Sequence, residues 1–155
     1  MDKMPRGRRL YVWGRRTGMS EPVLQVKAGG LTPEGYQMLA QAVGWEHRSI
    51  AQARDLIINA RHSVTAWRGE TLVGMGRSTG TGARYAHLVD IAVLPDSHGM
   101  GVGSALMAHL LKLVDHETSE DATVTLHAIP GAEAFYTRFG FQGSQSPGLM
   151  TRSRT

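Results

Sequence analysis

Cysteine is missing altogether from the 155 residues. That excludes a disulfide framework, a thiolate nucleophile and a cysteine metal site, and nothing argues for an oxidising compartment. Also missing is any run of roughly 18 consecutive apolar residues, the least that a membrane-spanning helix needs. No membrane partner is expected, and the expected location is cytoplasmic. Charge is modest, at 19% of residues against 41% apolar, which is ordinary for a globular chain. At this length one domain with a proper core is expected rather than two.

The formal net charge of +4 is uneven along the chain. Residues 1 to 16, "MDKMPRGRRLYVWGRR", hold Lys3, Arg6, Arg8, Arg9, Arg15 and Arg16 against Asp2, a net +5. The remaining eleven basic and twelve acidic residues give −1. The basicity therefore belongs to an arm, residues 1–18, with Pro5, Gly7 and Gly14 and no sustained periodicity. We read it as flexible or as an added tail. Met19 opens "MSEPVLQV", a plausible natural start, so residues 19–155 form the single domain. A basic arm can hold phosphates or an anionic surface, but the near-neutral domain argues against nucleic acid. The arm lacks the apolar segment of a secretory signal, and its glycines and proline speak against an amphipathic transit helix.

Along the domain, "VLQVK" (Val23 to Lys27) reads as a first strand ended by Gly29 and Gly30. Thr32, Pro33 and Glu34 then supply an N-cap, a first helical position and a first-turn acid. Leu39, Ala42 and Val43 are the expected buried face of that helix. A second helix is expected from Ser49 through "IAQARDLIINA", with Ile50, Ala53, Ile57 and Ile58 inward. "SVTAWRGETLVGMGRS" alternates about Gly69 as a hairpin. "YAHLVDIAVLP" is the best strand, expected to carry Val89, Ile91 and Val93 on one face and Asp90 on the other, and Pro95 stops it. A helix follows from Gly101 to about Glu117, with Leu106, Leu110, Leu113 and Val114 as its apolar stripe. "TVTLHA" is a further strand, "GAEAFYTRF" a short helix, and Phe141 to Met150 a last strand pair. This order describes an α/β fold, a mixed sheet with helices packed on its faces.

Between the best strand and the long helix lies "DSHGMGVGS", with Gly99, Gly101 and Gly103. The first four N–H groups of a helix lack intrahelical partners, and the peptide dipoles place about half a positive charge there. An anion is the natural guest. Taken alone, such a loop is equally a turn that lets a helix pack closely. It is not a nucleotide-hydrolysing loop, since no Gly-x-x-x-x-Gly-Lys-Ser/Thr is present, and "GMGVGS" misses the dinucleotide fingerprint. "HETSE" at His116 lacks the second histidine of a zinc motif and no other short metal spacing occurs, so no metal is expected. Neither Gly-x-Ser-x-Gly nor a nucleophilic cysteine is found.

"AVLP" followed by "HGMGVG" (His98 to Gly103) resembles the acyl-CoA signature of the GNAT superfamily of N-acetyltransferases, in which a strand ending in Val-x-Pro leads into Arg/Gln-x-x-Gly-x-Gly/Ala. His98 stands where that family usually has arginine or glutamine. "AEAFYTRFGF" (Ala132 to Phe141) resembles the family's second segment, Ala-x-x-Phe-Tyr-x-x-x-Gly-Phe, at the expected distance. The resemblance implies the GNAT fold, a mixed, mostly antiparallel central sheet flanked by helices on both faces. It implies acetyl-CoA as co-substrate and a primary amine of a small molecule or peptide as acceptor, joined by direct attack in a ternary complex, with a homodimer as a possible assembly.

On that resemblance His98, Gly99, Met100, Gly101, Val102, Gly103 and Ser104 hold the pyrophosphate. Ile91, Ala92 and Val93 offer main-chain groups to the pantetheine arm and thioester, and the strand is expected to splay from its neighbour to free them. Tyr136 matches the tyrosine that protonates the departing thiolate, Phe135 packs on the cofactor or the core, and Arg138 reaches phosphates or solvent. The acceptor amine must lose a proton, and the base is open among Asp90, Glu46, His87, His127 and a water relay. A CoA-sensing or nucleic-acid-binding module of the same fold without turnover is the rival reading.

Overall fold

The computed structural model describes residues 22–154. The expectations for the basic arm, and for a domain start at Met19, lie outside the described residues. Strand β1 (Leu24–Ala28) leads to helices α1 (Pro33–Ala42) and α2 (Ile50–Ile58), then β2 (His62–Arg68), β3 (Thr71–Thr79) and β4 (Tyr85–Val93). Helix α3 (Val102–Glu117), β5 (Thr123–His127), α4 (Glu133–Thr137), β6 (Gln142–Gly143) and β7 (Leu149–Ser153) complete the order. The seven strands form one sheet ordered β1-β2-β3-β4-β5-β7-β6. Only β4 and β5 run parallel; every other neighbouring pair is antiparallel.

The helix starts follow local chemistry. Thr32 Oγ1 accepts from Gly35 N at 3.0 Å, with Pro33 beginning α1. Ser49 and Gln52 exchange side-chain-to-backbone hydrogen bonds at both ends of a capping box, satisfying two donors that the helix itself cannot. The buried faces differ in part from the periodicity. In α1 the buried residues are Tyr36, Leu39 and Ala40, and Ala42 is exposed. In α2 only Ala53 is fully buried, Leu56 and Ile57 pack against the second core, and Ile58 is 68% exposed.

Two cores lie on opposite faces of the sheet. Helix α3 covers one, burying Val102, Leu106, Leu110 and Val114 against Val64 and Leu126, each buried aliphatic side chain being worth roughly 2 kcal/mol. Glycine lets it come close: a Cβ at Gly74 would stand 2.8 Å from Leu106 Cδ1, and one at Gly76 2.8 Å from Ile91 Cδ1. Helices α1 and α2 cover the other face, around Tyr36, Leu39, Ala53, Met75 and Ala92. Among the described residues no helix is long and apolar enough to cross a membrane.

The central strand departs from simple alternation. Arg77 pairs with Val89 and Met75 with Ala92, so two steps along β3 answer three along β4. This β-bulge switches the facing of everything beyond it. Ala86 and Leu88 lie on the α3 side, and after the bulge Ile91 and Val93 do so. Val89 sits opposite Arg77, whose side chain reaches α2, and Asp90 turns toward α1. Val89 therefore does not share a face with Ile91 and Val93, and Asp90 is on Val89's side rather than opposite it.

Candidate active site

The loop after β4 begins when Leu94 N donates to Val73 O at 2.8 Å and a single 3₁₀ turn spans Pro95–Ser97. Gly99 has φ +78° and Gly101 φ +82°, and a Cβ at either would meet nothing within 4 Å. The left-handed backbone, not crowding, calls for glycine there, and the same geometry leaves open space above the loop. Gly101 caps α3 without a side-chain acceptor, and the first helical bond runs from Ala105 N to Gly101 O. The N–H groups of Val102, Gly103 and Ser104 are thus without helical partners, as at any uncapped helix start.

Helix α4 closes one side of this cluster. Phe135 packs against Gly103, where a Cβ would approach its Cζ to 3.3 Å. Arg138 Nη2 donates to Ser104 Oγ at 3.2 Å, with its guanidinium 5.5 Å and 5.8 Å from the rings of Phe135 and Phe139. A cation therefore stands at the rim of the free N–H groups. His98 turns the other way. Its Nε2 lies 2.9 Å from Val93 O, and since a carbonyl only accepts, the proton is assigned to Nε2. Met100 is exposed at the loop tip.

The floor of the site is a gap in the sheet. β4 pairs with β5 only over Tyr85–Leu88 against Thr123–Leu126, so Val89 to Val93 have no strand partner on that side among the described residues. Antiparallel residues alternate between pointing at the partner strand and away. Since Leu94 N bonds to β3, the main-chain groups of Ala92 point to Met75, while those of Ile91 and Val93 point into the gap. Of the three residues expected to present main-chain groups, two do so, and the Val93 carbonyl already accepts from His98.

Tyr136 projects from α4 with its ring edge-on to Phe135 at 5.0 Å and to Phe141 at 6.4 Å. Its hydroxyl takes no hydrogen bond among the described residues, and burial raises its pKa above the ordinary value near 10. It is protonated throughout the physiological range.

The base candidates are scattered. Glu46 is exposed in the turn after α1, with no hydrogen bond or ion pair to a described residue, beside Trp45 that packs on the second core. His87 and His127 meet edge-on at 5.6 Å where β4 and β5 part, and His87 Nδ1 lies 2.6 Å from Thr125 Oγ1. Burial, and then the neighbouring His127, lowers the pKa of His87. Asp90 Oδ2 accepts from Tyr36 Oη, Arg77 Nε and Arg77 Nη2, each at 2.8 Å. Among the described residues no group of three or more His, Asp or Glu side chains could hold a metal ion.

Tyr36 and Arg77 did not stand out from the sequence. An arginine among the small residues of "GMGRS" was the available signal, because a charge at a buried strand position demands a partner. The Tyr36 hydroxyl is pushed up to about 12, first by burial and then by its bond to Asp90. The folded chain keeps this proton after the unfolded chain has lost it, so the contribution is complete below pH ~10 and is lost as pH rises toward about 12. The stability difference between wild type and Tyr36→Phe should close by about 1.4 kcal/mol by pH 11, read by denaturant titration at pH 8 and 11. A difference that does not change with pH would remove the Tyr36 bond from this account.

A mostly antiparallel sheet, split beside the strand that feeds a glycine-opened helix start, defines the GNAT fold class. The model of the "Acetyltransferase (GNAT) domain" matches residues 34–152, and the chain belongs to that family. An uncharacterized ycf52-like N-acetyltransferase of Prochlorococcus marinus is 31% identical over 109 residues, 68% of this chain and 59% of its own length. The chain thus spans about three fifths of that relative. A protein of unknown function from meticillin-resistant Staphylococcus aureus superposes with a TM-score of 0.74 at 32% identity, covering 79% of this chain and 92% of that one. The N-acetylglutamate synthase of Neisseria gonorrhoeae, solved with coenzyme A and L-arginine, shares the fold alone: TM-score 0.68, 16% identity, 86% of this chain and 34% of that one.

Proposed function

We propose that the chain transfers the acetyl group of acetyl-CoA to a primary amine of a small molecule or peptide by direct attack in a ternary complex. The observation that carries the reading is the pairing of two open features: unpartnered N–H groups at the start of α3, and main-chain groups of Ile91 facing the gap between β4 and β5. Free donors below open space fit a pyrophosphate, and a gap lined by strand backbone fits an extended amide-bearing arm.

Acetyl-CoA supplies an activated acetyl thioester. Val102, Gly103 and Ser104 would hold its pyrophosphate through main-chain N–H groups, with Arg138 adding charge. The Ile91 N–H would meet the negative charge that develops on the thioester oxygen. Tyr136 gives its hydroxyl proton to the departing sulfur, a role its raised pKa permits. The amine loses its proton toward the face that carries Asp90, Glu46, His87 and His127, or to water. The N-acetyltransferase relatives support acetyl transfer in general and select no acceptor.

Acetyl-CoA should raise the melting temperature through preferential binding to the native state, by about 2.7 kcal/mol of stabilisation at a hundredfold excess over Kd. Absence of any shift at millimolar acetyl-CoA would overturn the proposal. Release of free thiol across a panel of polyamines, aminoglycosides, amino acids and peptides then identifies the acceptor.

A further inference from the structure

Asp90 has φ +56°, the one positive φ at a non-glycine position among the described residues. It lies in the bulge of β4, immediately before Ile91. For an L residue this conformation is unfavourable, though aspartate tolerates it better than most. Such conformations persist where surrounding structure holds them and cluster at functional sites. What holds this one is visible. Oδ2 receives Tyr36 Oη from α1 and both Nε and Nη2 of Arg77 from β3, all at 2.8 Å. Arg77 Nη1 donates onward to Leu56 O of α2 at 2.7 Å. The arginine side chain is only 5% exposed, so its charge has this carboxylate as partner and little water.

Two elements, α1 and β3, thus converge on one carboxylate oxygen, with α2 tied in through Arg77, and the backbone bearing that carboxylate sets the direction of the next N–H. Without the bulge, β4 would keep its alternation and Ile91 would turn toward α1 rather than α3. We propose that Asp90 is a positioning residue: its clamp to Tyr36 and Arg77 fixes the bulge that aims the Ile91 main chain into the gap between β4 and β5. This rests on the acetyl-transfer reading for its catalytic consequence, and on the hydrogen bonds alone for the clamp. It departs from a base role for Asp90, whose Oδ2 is already committed to three donors. It also ties α1 and α2, which cover the face opposite α3, to the strand that would meet the thioester.

Asp90→Gly and Asp90→Ala separate the two roles. Both remove the carboxylate and strand Arg77 equally, but glycine accepts φ +56° and alanine resists it. Asp90→Ala should lower kcat on the order of 10²-fold, the size of losing one oxyanion donor, with KM for acetyl-CoA within a few fold. Asp90→Gly should lower it only about tenfold. Asp90→Asn keeps an acceptor for Tyr36 and a residue tolerant of left-handed backbone, and should leave the acid limb of the pH–rate profile in place. Equal loss in the Gly and Ala variants together with loss of the acid limb in Asp90→Asn would overturn the positioning role and make the carboxylate itself the proton acceptor. Amide exchange at residues 89–93 of the unliganded protein reads the clamp without any acceptor. Exchange at Ala92 should be faster than wild type in both Asp90→Gly and Asp90→Ala, which lose the clamp alike, and fastest in Asp90→Ala, and equal rates in all three would overturn the clamp. Failure of the wild-type chain to turn over any amine would instead sink the acetyl-transfer reading, with the exchange result still deciding the clamp.

Discussion

Ser104→Asp should weaken acetyl-CoA binding by on the order of 10²- to 10³-fold while leaving the unliganded protein as stable as wild type or slightly more so. The two effects have opposite signs for one electrostatic reason. Ser104 is in the first turn of α3, where N–H groups of Val102, Gly103 and Ser104 lack partners and Arg138 lies 3.2 Å from the serine oxygen. A carboxylate there meets the positive end of the helix dipole, worth about 0.3–1 kcal/mol at an exposed site, and gains Arg138 as a partner. It becomes the anion that the site was open to receive. An incoming pyrophosphate then faces like charge, and two unit charges 4 Å apart repel by about 4 kcal/mol at an effective dielectric constant near 20. Screening and side-chain movement reduce this, and an increase in Kd on the order of 10²- to 10³-fold remains. Ser104→Ala, which loses only the Arg138 hydrogen bond, should change Kd less than tenfold. Calorimetric titration with acetyl-CoA compares the three proteins. Binding by Ser104→Asp at wild-type affinity would remove the start of α3 as the phosphate site.

The features that the sequence announced are those set by a few neighbouring residues. Thr32 with Pro33, and Ser49 with Gln52, begin helices where their side chains can reach backbone donors, and Gly99 and Gly101 mark left-handed backbone that other residues resist. The stripe of Leu106, Leu110 and Val114 was equally legible, because a long helix on a sheet has a single inward face. What alternation could not reveal is the bulge at Asp90, since a period of two assumes that no residue is extra. Alternation groups Val89 with Ile91 and Val93, and the structure sets it on the other side. Ala42 and Ile58 fit their helical faces by spacing, yet both are exposed, while their neighbours Val43 and Ile57 pack against the second core.

The residues of the site divide in the same way. The glycine loop and its N–H groups are local and followed from spacing. Tyr36 and Arg77 matter through Asp90, which is 54 positions from one and 13 from the other, and contacts that distant leave no periodic trace. His98 shows the limit from the other direction. Its place in the motif suggested a ligand contact, but its ring bonds Val93 O, tying the loop to the strand that lines the gap.

Tyr136→Phe should lower kcat by about 10²-fold or more, the usual reach of a general acid, with the Kd for acetyl-CoA nearly unchanged. The hydroxyl has no hydrogen-bond partner among the described residues, so its removal leaves no donor or acceptor stranded. The ring contacts to Phe135 and Phe141 remain available to phenylalanine. Stability should therefore hold or rise slightly, and a loss of rate cannot be assigned to unfolding. The pH dependence adds an independent constraint. Burial raises the pKa of Tyr136, so the acid form persists past pH 10, and the wild-type rate should show no alkaline decline from this group below that pH. A base limb near neutrality would belong to another residue, and it should persist in Tyr136→Phe. Unchanged turnover of the variant across the amine panel, scored by thiol release, would strip Tyr136 of the general-acid role and leave the departing thiolate to be protonated by water entering along the gap between β4 and β5.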